Sequence, residues 1–189
     1  MKFAYADPPY FGYASFYAEH HPDALDYDDI ETHRSLLNRL SDEFPDGWAL
    51  SLTSGNLKSI LPLCPDDARV ASWVKPFCSF KPNVNPAYAW EPVIFRGGRR
   101  YAKAEPTIRD WLAESITLKR GLTGAKPRNF ARWIFALLNA QHGDQFDDLF
   151  PGTGGIGRAW DEWIGEPMQA GLFEEGVVQS ALYKHGVSA

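Results

Sequence analysis

The chain has 189 residues, 44% hydrophobic and 23% charged, which by length is a single domain spanning 1–189 with enough apolar content for a sizeable core. No apolar run approaches the ~20 residues of a membrane span and no signal peptide begins the chain, so the expectation is a cytoplasmic protein with no membrane partner. A net charge of −5 does not advertise a nucleic-acid binder, and Cys64 and Cys78 lack a metal-ligand spacing, which predicts reduced core thiols and no metal.

In chain order, Phe3 to Ala6 read as a short buried strand. Pro8 and Pro9, which have no backbone donors, must end its ladder at once. After the acidic start Asp28-Asp29-Ile30-Glu31, the stripe Leu36, Leu37, Leu40 and Phe44 predicts a helix, followed by a strand from Trp48 to Thr53. Arg69 to Val74 and Pro92 to Phe95 read as further strands. The proline-rich stretch 76–88 and the segment 96–125 read as loops, the second with one helix around Thr107 to Ala113. Pro127 opens a helix whose Phe130, Trp133, Ile134, Leu137 and Leu138 repeat at helical spacing, which makes these aromatics core. Phe146 to Phe150 then form a strand, and a helix runs from Gly155 to Trp163. Strand and helix alternate throughout, which predicts an α/β fold.

Two turns carry the chemistry. Asp7, Pro8, Pro9 and Tyr10 place a carboxylate, proline carbonyls and an aromatic ring at the carboxyl end of a strand, where open α/β sheets hold their ligands. Asp7 and a proline carbonyl can both accept from an exocyclic NH2, and Tyr10 can stack on a flat base. Taken alone, the tetrapeptide reads equally well as a turn after a strand. The second turn is Phe150-Pro151-Gly152-Thr153-Gly154 in the stretch 150–157. Its glycines at a strand-to-helix junction let backbone approach a ligand closely. No Gly-Lys-Ser/Thr follows, and the dinucleotide pattern is only loosely met by Gly152, Gly154 and Gly157.

With Asp-Pro-Pro-Tyr first and Phe-x-Gly-x-Gly last, the chain resembles S-adenosylmethionine-dependent amino methyltransferases that act on adenine N6. The motif order resembles their permuted β class, and the compact layout is most similar to the messenger-RNA adenosine methyltransferase family and its microbial relatives, which usually read Asp-Pro-Pro-Trp. Trp73-Val74-Lys75, Trp90-Glu91-Pro92-Val93-Ile94 and Lys126-Pro127 also resemble elements of that family. The likeness spans roughly residues 2 to 163. It implies a Rossmann-like methyltransferase three-layer sandwich, circularly permuted, that moves a methyl group from S-adenosylmethionine to adenine N6 in DNA and releases S-adenosylhomocysteine. RNA is a possible substrate. It also implies that Asp7, Pro8, Pro9 and Tyr10 are catalytic, with Ala6, Asp7, Lys126, Asp148, Phe150, Pro151, Gly152, Thr153 and Gly154 at the cofactor. Tyr10, Lys75 and Glu91 fall on the substrate side.

For such a family the C-terminal end is short. Gly165-Glu166-Pro167 breaks the last helix, and Leu172 to Tyr183 lacks clean strand alternation. The expectation is a reduced sheet of about five or six strands with the glycine-turn strand at or near one edge. A ribose pocket would then be open, or completed by Glu166, the tail, or a second subunit of a homodimer or a partner.

The basic residues Arg96, Arg99, Arg100 and Lys103, with Lys119, Arg120, Lys126 and Arg128, offer a face that could neutralise phosphates beside the catalytic turn. His20 and His21 read as exposed, and His33, His142 and His185 carry no signal. Two other classes stay open. One is a methyltransferase-like nucleic-acid-binding subunit without activity, against which the intact Asp7 and glycine turn argue. The other is a nucleotide-binding oxidoreductase, for which Glu174 or Glu175 lie near the required distance beyond the glycines.

Overall fold

Phe3 and Tyr5 point to one side of the first strand and Ala4 and Ala6 to the other, and both sides are buried, so this strand must lie in mid-sheet with a layer on each face. In the computed structural model, which describes residues 1–19, 22–78, 83–116 and 125–165, it does. The described strands are β1 (Lys2–Ala6), β2 (Gly47–Ser51), β3 (Arg69–Val74), β4 (Trp90–Gly97), β5 (Trp111–Ala113) and β6 (Gln145–Asp148). They form one six-stranded sheet in the order β5-β3-β4-β2-β1-β6. Among the described residues the sheet has the six strands expected, with β6 at an edge. Among these strands β4 alone is reversed, since it pairs antiparallel with both β2 and β3.

Helix α1 (Ile30–Glu43) follows Asp29, whose carboxylate caps it by accepting the Glu31 N–H at 3.0 Å. Its Leu36, Leu37 and Leu40, with Phe44 just beyond, pack on Ala4, Ala6, Trp48, Leu50 and Ile94. A short α2 (Leu57–Ile60) follows β2. On the opposite face, α3 (Arg128–Leu137) and α4 (Gly155–Gly165) bury Phe130, Trp133, Ile134, Phe135, Ile156 and Trp160 against Phe3, Tyr5, Val93 and Phe95. Three layers result, as predicted. Trp160 stacks on Phe146 at 5.1 Å, and Phe135 meets both rings edge-on at 4.8 and 5.2 Å. Such aromatic pairs add about 0.5–1.5 kcal/mol each beyond area burial, which ties α4 firmly to β6.

The segment predicted as a helix around Thr107 to Ala113 is instead β5. The backbone of β3 needs partners on its outer edge. Ser72 N–H finds Asp110 O at 2.9 Å, Glu114 N–H finds Val74 O at 3.0 Å, and the buried indole of Trp73 donates to Glu114 O at 2.7 Å. Pairing at a sheet edge overrides a weak local helix preference. β4 also runs straight through Pro92, whose carbonyl accepts the Leu52 N–H at 3.3 Å. Cys64 and Cys78 are free thiols, and burial raises the Cys64 thiol to about 11.

Candidate active site

The two motif turns come together because β1 and β6 are parallel neighbours. Tyr5 pairs with Asp148, and Leu149 N–H donates to Tyr5 O at 2.9 Å, so Asp7 and Phe150 leave the sheet side by side. From β1 the chain passes through α1 on one face to β2. From β6 it passes into α4 on the other face. The crevice between β1 and β6 is thus the topological switch point, the position where open α/β sheets bind ligands.

At the β1 end, Asp7 sits in a small ionic network. Lys126 Nζ lies 3.0 Å from Asp7 Oδ2 and 3.4 Å from Glu91 Oε2. The Tyr10 hydroxyl donates to Asp7 Oδ1 at 3.2 Å, lies 3.3 Å from Glu91 Oε2 and accepts from Lys126 Nζ at 3.2 Å. Lys75 Nζ closes the set on Glu91 Oε1. Two ammonium groups thus balance two carboxylates, and the side chains are only 7% (Lys126), 10% (Lys75), 18% (Glu91) and 22% (Asp7) exposed. The rings of Trp73, Tyr10 and Phe130 surround the Lys126 ammonium at 5.7, 5.8 and 5.9 Å.

Burial and pairing pull these groups in different directions. Burial raises the Asp7 carboxyl above its usual 3.8, with Glu91 adding to the effect and Lys126 opposing it. Burial also works to raise Glu91, but Lys126 and Lys75 outweigh it and hold Glu91 low. For Lys126, burial works against the charge, while Asp7 and Glu91 overcome it and hold the ammonium well above 10.5. Tyr10 is raised well above 10.0 by burial and by Asp7 and Glu91, so it remains a neutral donor.

At the β6 end, Gly152 and Gly154 have φ of +45° and +70°, backbone that favours glycine. Gly154 N–H donates to Pro151 O, and Arg158 Nη1 holds Thr153 O at 2.9 Å, so the turn rests on the first turns of α4. Pro151, Gly152 and Thr153 are exposed. Asp148 accepts the Phe150 N–H at 3.3 Å through Oδ1, while its Oδ2 is buried without a partner. Burial raises this carboxyl from 3.8 to about 6, with Asp7 adding to the shift.

Of the residues singled out from sequence, Ala6, Asp7, Pro8, Pro9, Tyr10, Lys75, Glu91, Lys126, Asp148 and Phe150 to Gly154 gather at this one end of the sheet. Arg96, Arg99 and Arg100 do not. β4 runs from Trp90 beside Val74 to Gly97 beside Gly47, so Arg96 lies five residues, roughly 17 Å, down the strand from Glu91. Arg96 pairs with Asp67 at 2.7 Å, and Arg99 holds Asp144 at 2.6 Å beside the N-terminus. The expected basic face beside the catalytic turn is corrected for these three residues, because the reversal of β4 carries them to the opposite end. Lys119, Arg120, His20, His21, Glu166, Glu174, Glu175 and 172–183 lie outside the described residues.

Sequence reasoning missed several parts. His33, which carries no sequence signal, is buried, its Nε2 lies 2.9 Å from Tyr27 O, and its ring meets Phe11 and Tyr27 edge-on at 6.1 and 5.4 Å. Tyr27 in turn meets Phe150 at 5.5 Å, so a run of rings joins the two motif turns. Asp28 and Asn56 hold the segment after Tyr10. Their only sequence signal was position: Asp28 precedes a helix cap and Asn56 follows a strand. Among the described residues no group of three His, Cys, Asp or Glu is placed to hold a metal, and no helix is long and apolar enough to cross a membrane.

Comparison with solved structures identifies the architecture. The complex of M1.HpyAVI with SAM matches with a TM-score of 0.56 at 16% identity, over 86% of this chain and 78% of that one. The chain has a methyltransferase-type α/β fold. A second match is TTHA0409 of Thermus thermophilus, described as a candidate DNA modification methylase, with a TM-score of 0.47 at 15% identity over 86% of this chain and 77% of that one. No family model matches the chain, and no curated protein matches it.

Proposed function

We propose that this protein transfers a methyl group from S-adenosylmethionine to the N6 amino group of adenine in DNA, as a permuted member of the amino methyltransferases. The observation that carries the reading is Asp7, a half-buried carboxylate at the switch-point crevice, side by side with a glycine turn. The fold shared with the SAM complex of M1.HpyAVI supports it. So does the fit of the cofactor to the residues present. A buried carboxylate oxygen on Asp148 lacks a partner, and S-adenosylmethionine brings both an ammonium and a sulfonium. Asp148 would hold the positive portion, and the backbone of Pro151 to Gly154, exposed as far as Thr153, would hold the rest.

When bound, the cofactor supplies an electrophilic methyl group on a sulfonium sulfur. The chain's own residues orient the nucleophile. An aniline-like N6 has its lone pair delocalised into the ring, and accepting one N–H at Asp7 and another at a Pro8 or Pro9 carbonyl directs that lone pair towards the methyl carbon. Asp7 would take the proton that the nitrogen sheds on methylation, and the raised pKa of its carboxyl suits it to do so. Each oxygen of Asp7 keeps acceptor capacity beyond its bond to Lys126 or Tyr10. Lys126, tethered by Glu91, which Lys75 holds in turn, keeps Asp7 aimed and favours its ionised form. Positioning and preorganised charge do the catalysis. In duplex DNA the target adenine must be flipped out, where Tyr10 can stack on it.

The test is to incubate purified protein with methyl-labelled cofactor and matched adenine-containing DNA and RNA oligonucleotides, then to identify the modified base. N6-methyladenine in DNA is expected. Label in RNA alone would move the substrate class, and no transfer to either would leave a binding subunit.

A further inference from the structure

The two prolines of the Asp7 turn donate no backbone hydrogen bond, so beyond the Asp7–Lys126 pair the turn depends on the segment that follows it. There the chain makes a tight turn: Tyr13 N–H donates to Tyr10 O at 2.8 Å, with Gly12 at φ +80° in the third position, as a type II turn requires. Two side chains from distant elements grip this turn. Asp28 Oδ1 accepts from Gly12 N–H at 2.8 Å and from Ala14 N–H at 3.1 Å. Asn56 Nδ2 donates to Phe11 O at 2.9 Å, and Asn56 is only 7% exposed.

We infer that Asp28 and Asn56 are positioning residues for the Asp7 turn, a role that rests on the methyltransferase reading above. The two grips tie the turn to different parts of the scaffold. Asp28 ends a short 3-10 helix, Ala24–Asp28, and its neighbour Asp29 caps α1, so the Gly12 and Ala14 amides are referenced to the helix packed under β1. Asn56 ends the 3-10 turn Ser54–Asn56 after β2, the strand beside β1. Tyr10, whose carbonyl begins the clamped turn, is also the residue whose hydroxyl meets Asp7. A shift of the turn therefore moves Tyr10 and Asp7 together relative to the cofactor turn on β6. Neither Asp28 nor Asn56 touches the ionic network, so both act through the backbone.

The test compares Asp28→Ala, Asp28→Asn and Asn56→Ala with the wild type in two readouts: single-turnover methyl transfer beside cofactor affinity, and backbone hydrogen exchange over residues 10–17. Misplacement by about 1 Å costs on the order of 100-fold in rate. Asp28→Ala is expected to lose about that much, with cofactor affinity within about two-fold, because the cofactor turn is separate. Asp28→Asn keeps an oxygen acceptor and should restore most of the rate, a rescue that a purely charge-based role would not allow. Exchange of the Gly12 and Ala14 amides should accelerate in Asp28→Ala. Wild-type turnover in both alanine variants, or a loss that merely follows lost cofactor binding, would overturn the inference. The exchange comparison needs no substrate, so unchanged exchange in Asp28→Ala overturns the clamp whatever the activity. Absence of transfer by the wild type would instead sink the methyltransferase reading.

Discussion

Lys126 Nζ lies 3.0 Å from Asp7 Oδ2 in an environment that leaves the lysine side chain 7% exposed. A buried ammonium shared by two carboxylates is hard to delete, since its removal strands Asp7 and leaves Glu91 with Lys75 alone. Lys126→Met should cost on the order of 3–5 kcal/mol of unfolding free energy. The sign with pH is set by the raised Lys126 pKa: its contribution is complete below 10.5 and is lost as pH rises through the higher folded value. Urea titrations of wild type and variant near neutral pH check this, and coincident midpoints would show that Lys126 does not stabilise the pair.

Asp7→Ala should abolish methyl transfer and leave cofactor affinity within a few-fold, because the proposed mechanism gives Asp7 the target amine and the glycine turn the cofactor. A protonated Asp7 has gained an O–H donor in place of one acceptor site and can no longer take the proton that the amine sheds. Since burial places its pKa above 3.8, the acid limb of the pH–rate profile should fall above that value. Near-normal turnover of a folded Asp7→Ala protein would refute the assigned mechanism.

Tyr10 has two separable parts. Its hydroxyl bridges Asp7 and Glu91, and its ring is the group proposed to stack on the base. Tyr10→Ala should weaken base engagement by about 1–3 kcal/mol, the usual worth of one stacked base. Tyr10→Phe keeps the ring, so it should preserve oligonucleotide affinity and lower the rate instead. Equal losses of affinity in both variants would assign binding to the hydroxyl rather than to stacking.

Asp148 is expected to trade stability for binding. A carboxyl held at about 6 rather than 3.8 costs the folded state at most ~3 kcal/mol at neutral pH, at about 1.36 kcal/mol per pH unit, and less to the extent that solvent screens it. The folded state binds this proton more tightly than the unfolded one. Its effect is therefore absent below 3.8, and stability falls as pH rises towards about 6. Asp148→Asn should raise the neutral-pH melting temperature and weaken cofactor binding. In the wild type, cofactor affinity should fall as pH drops below about 6. Calorimetry across that range, with thermal melts of both proteins, is decisive; a less stable Asp148→Asn would contradict the unpaired oxygen.

The arginines at the far end give the converse. Asp144 is 4% exposed, and burial, which would raise it, is outweighed by Arg99, the N-terminal ammonium and the Gln141 N–H, which hold it below 3.8. Arg99→Ala should destabilise by roughly 1–3 kcal/mol, less than a fully buried pair because Arg99 is itself 34% exposed. Methyl transfer per folded molecule should stay within about two-fold. A large loss of oligonucleotide affinity in Arg99→Ala would return these arginines to the substrate surface.

What the sequence alone determined is local. β1, β3 and the helices on Leu36 and Phe130 were legible because side-chain period and flanking prolines act within a few residues. The Asp7 and glycine turns were legible because their composition already states where backbone donors are missing and where backbone can be approached. The tertiary structure decided the rest, because pairing between distant segments is set by where strands land. Trp111 to Ala113 became a strand to satisfy the open edge of β3. The reversal of β4 delivered Glu91 to Asp7 and carried Arg96 and Arg99 away from it, although all three lie within nine consecutive residues. Asp28 and Asn56 look like ordinary loop residues in one dimension. They grip the segment after Asp7 to Tyr10 only because α1 and β2 flank β1, and hydrogen-bond partners are chosen by distance in space rather than along the chain.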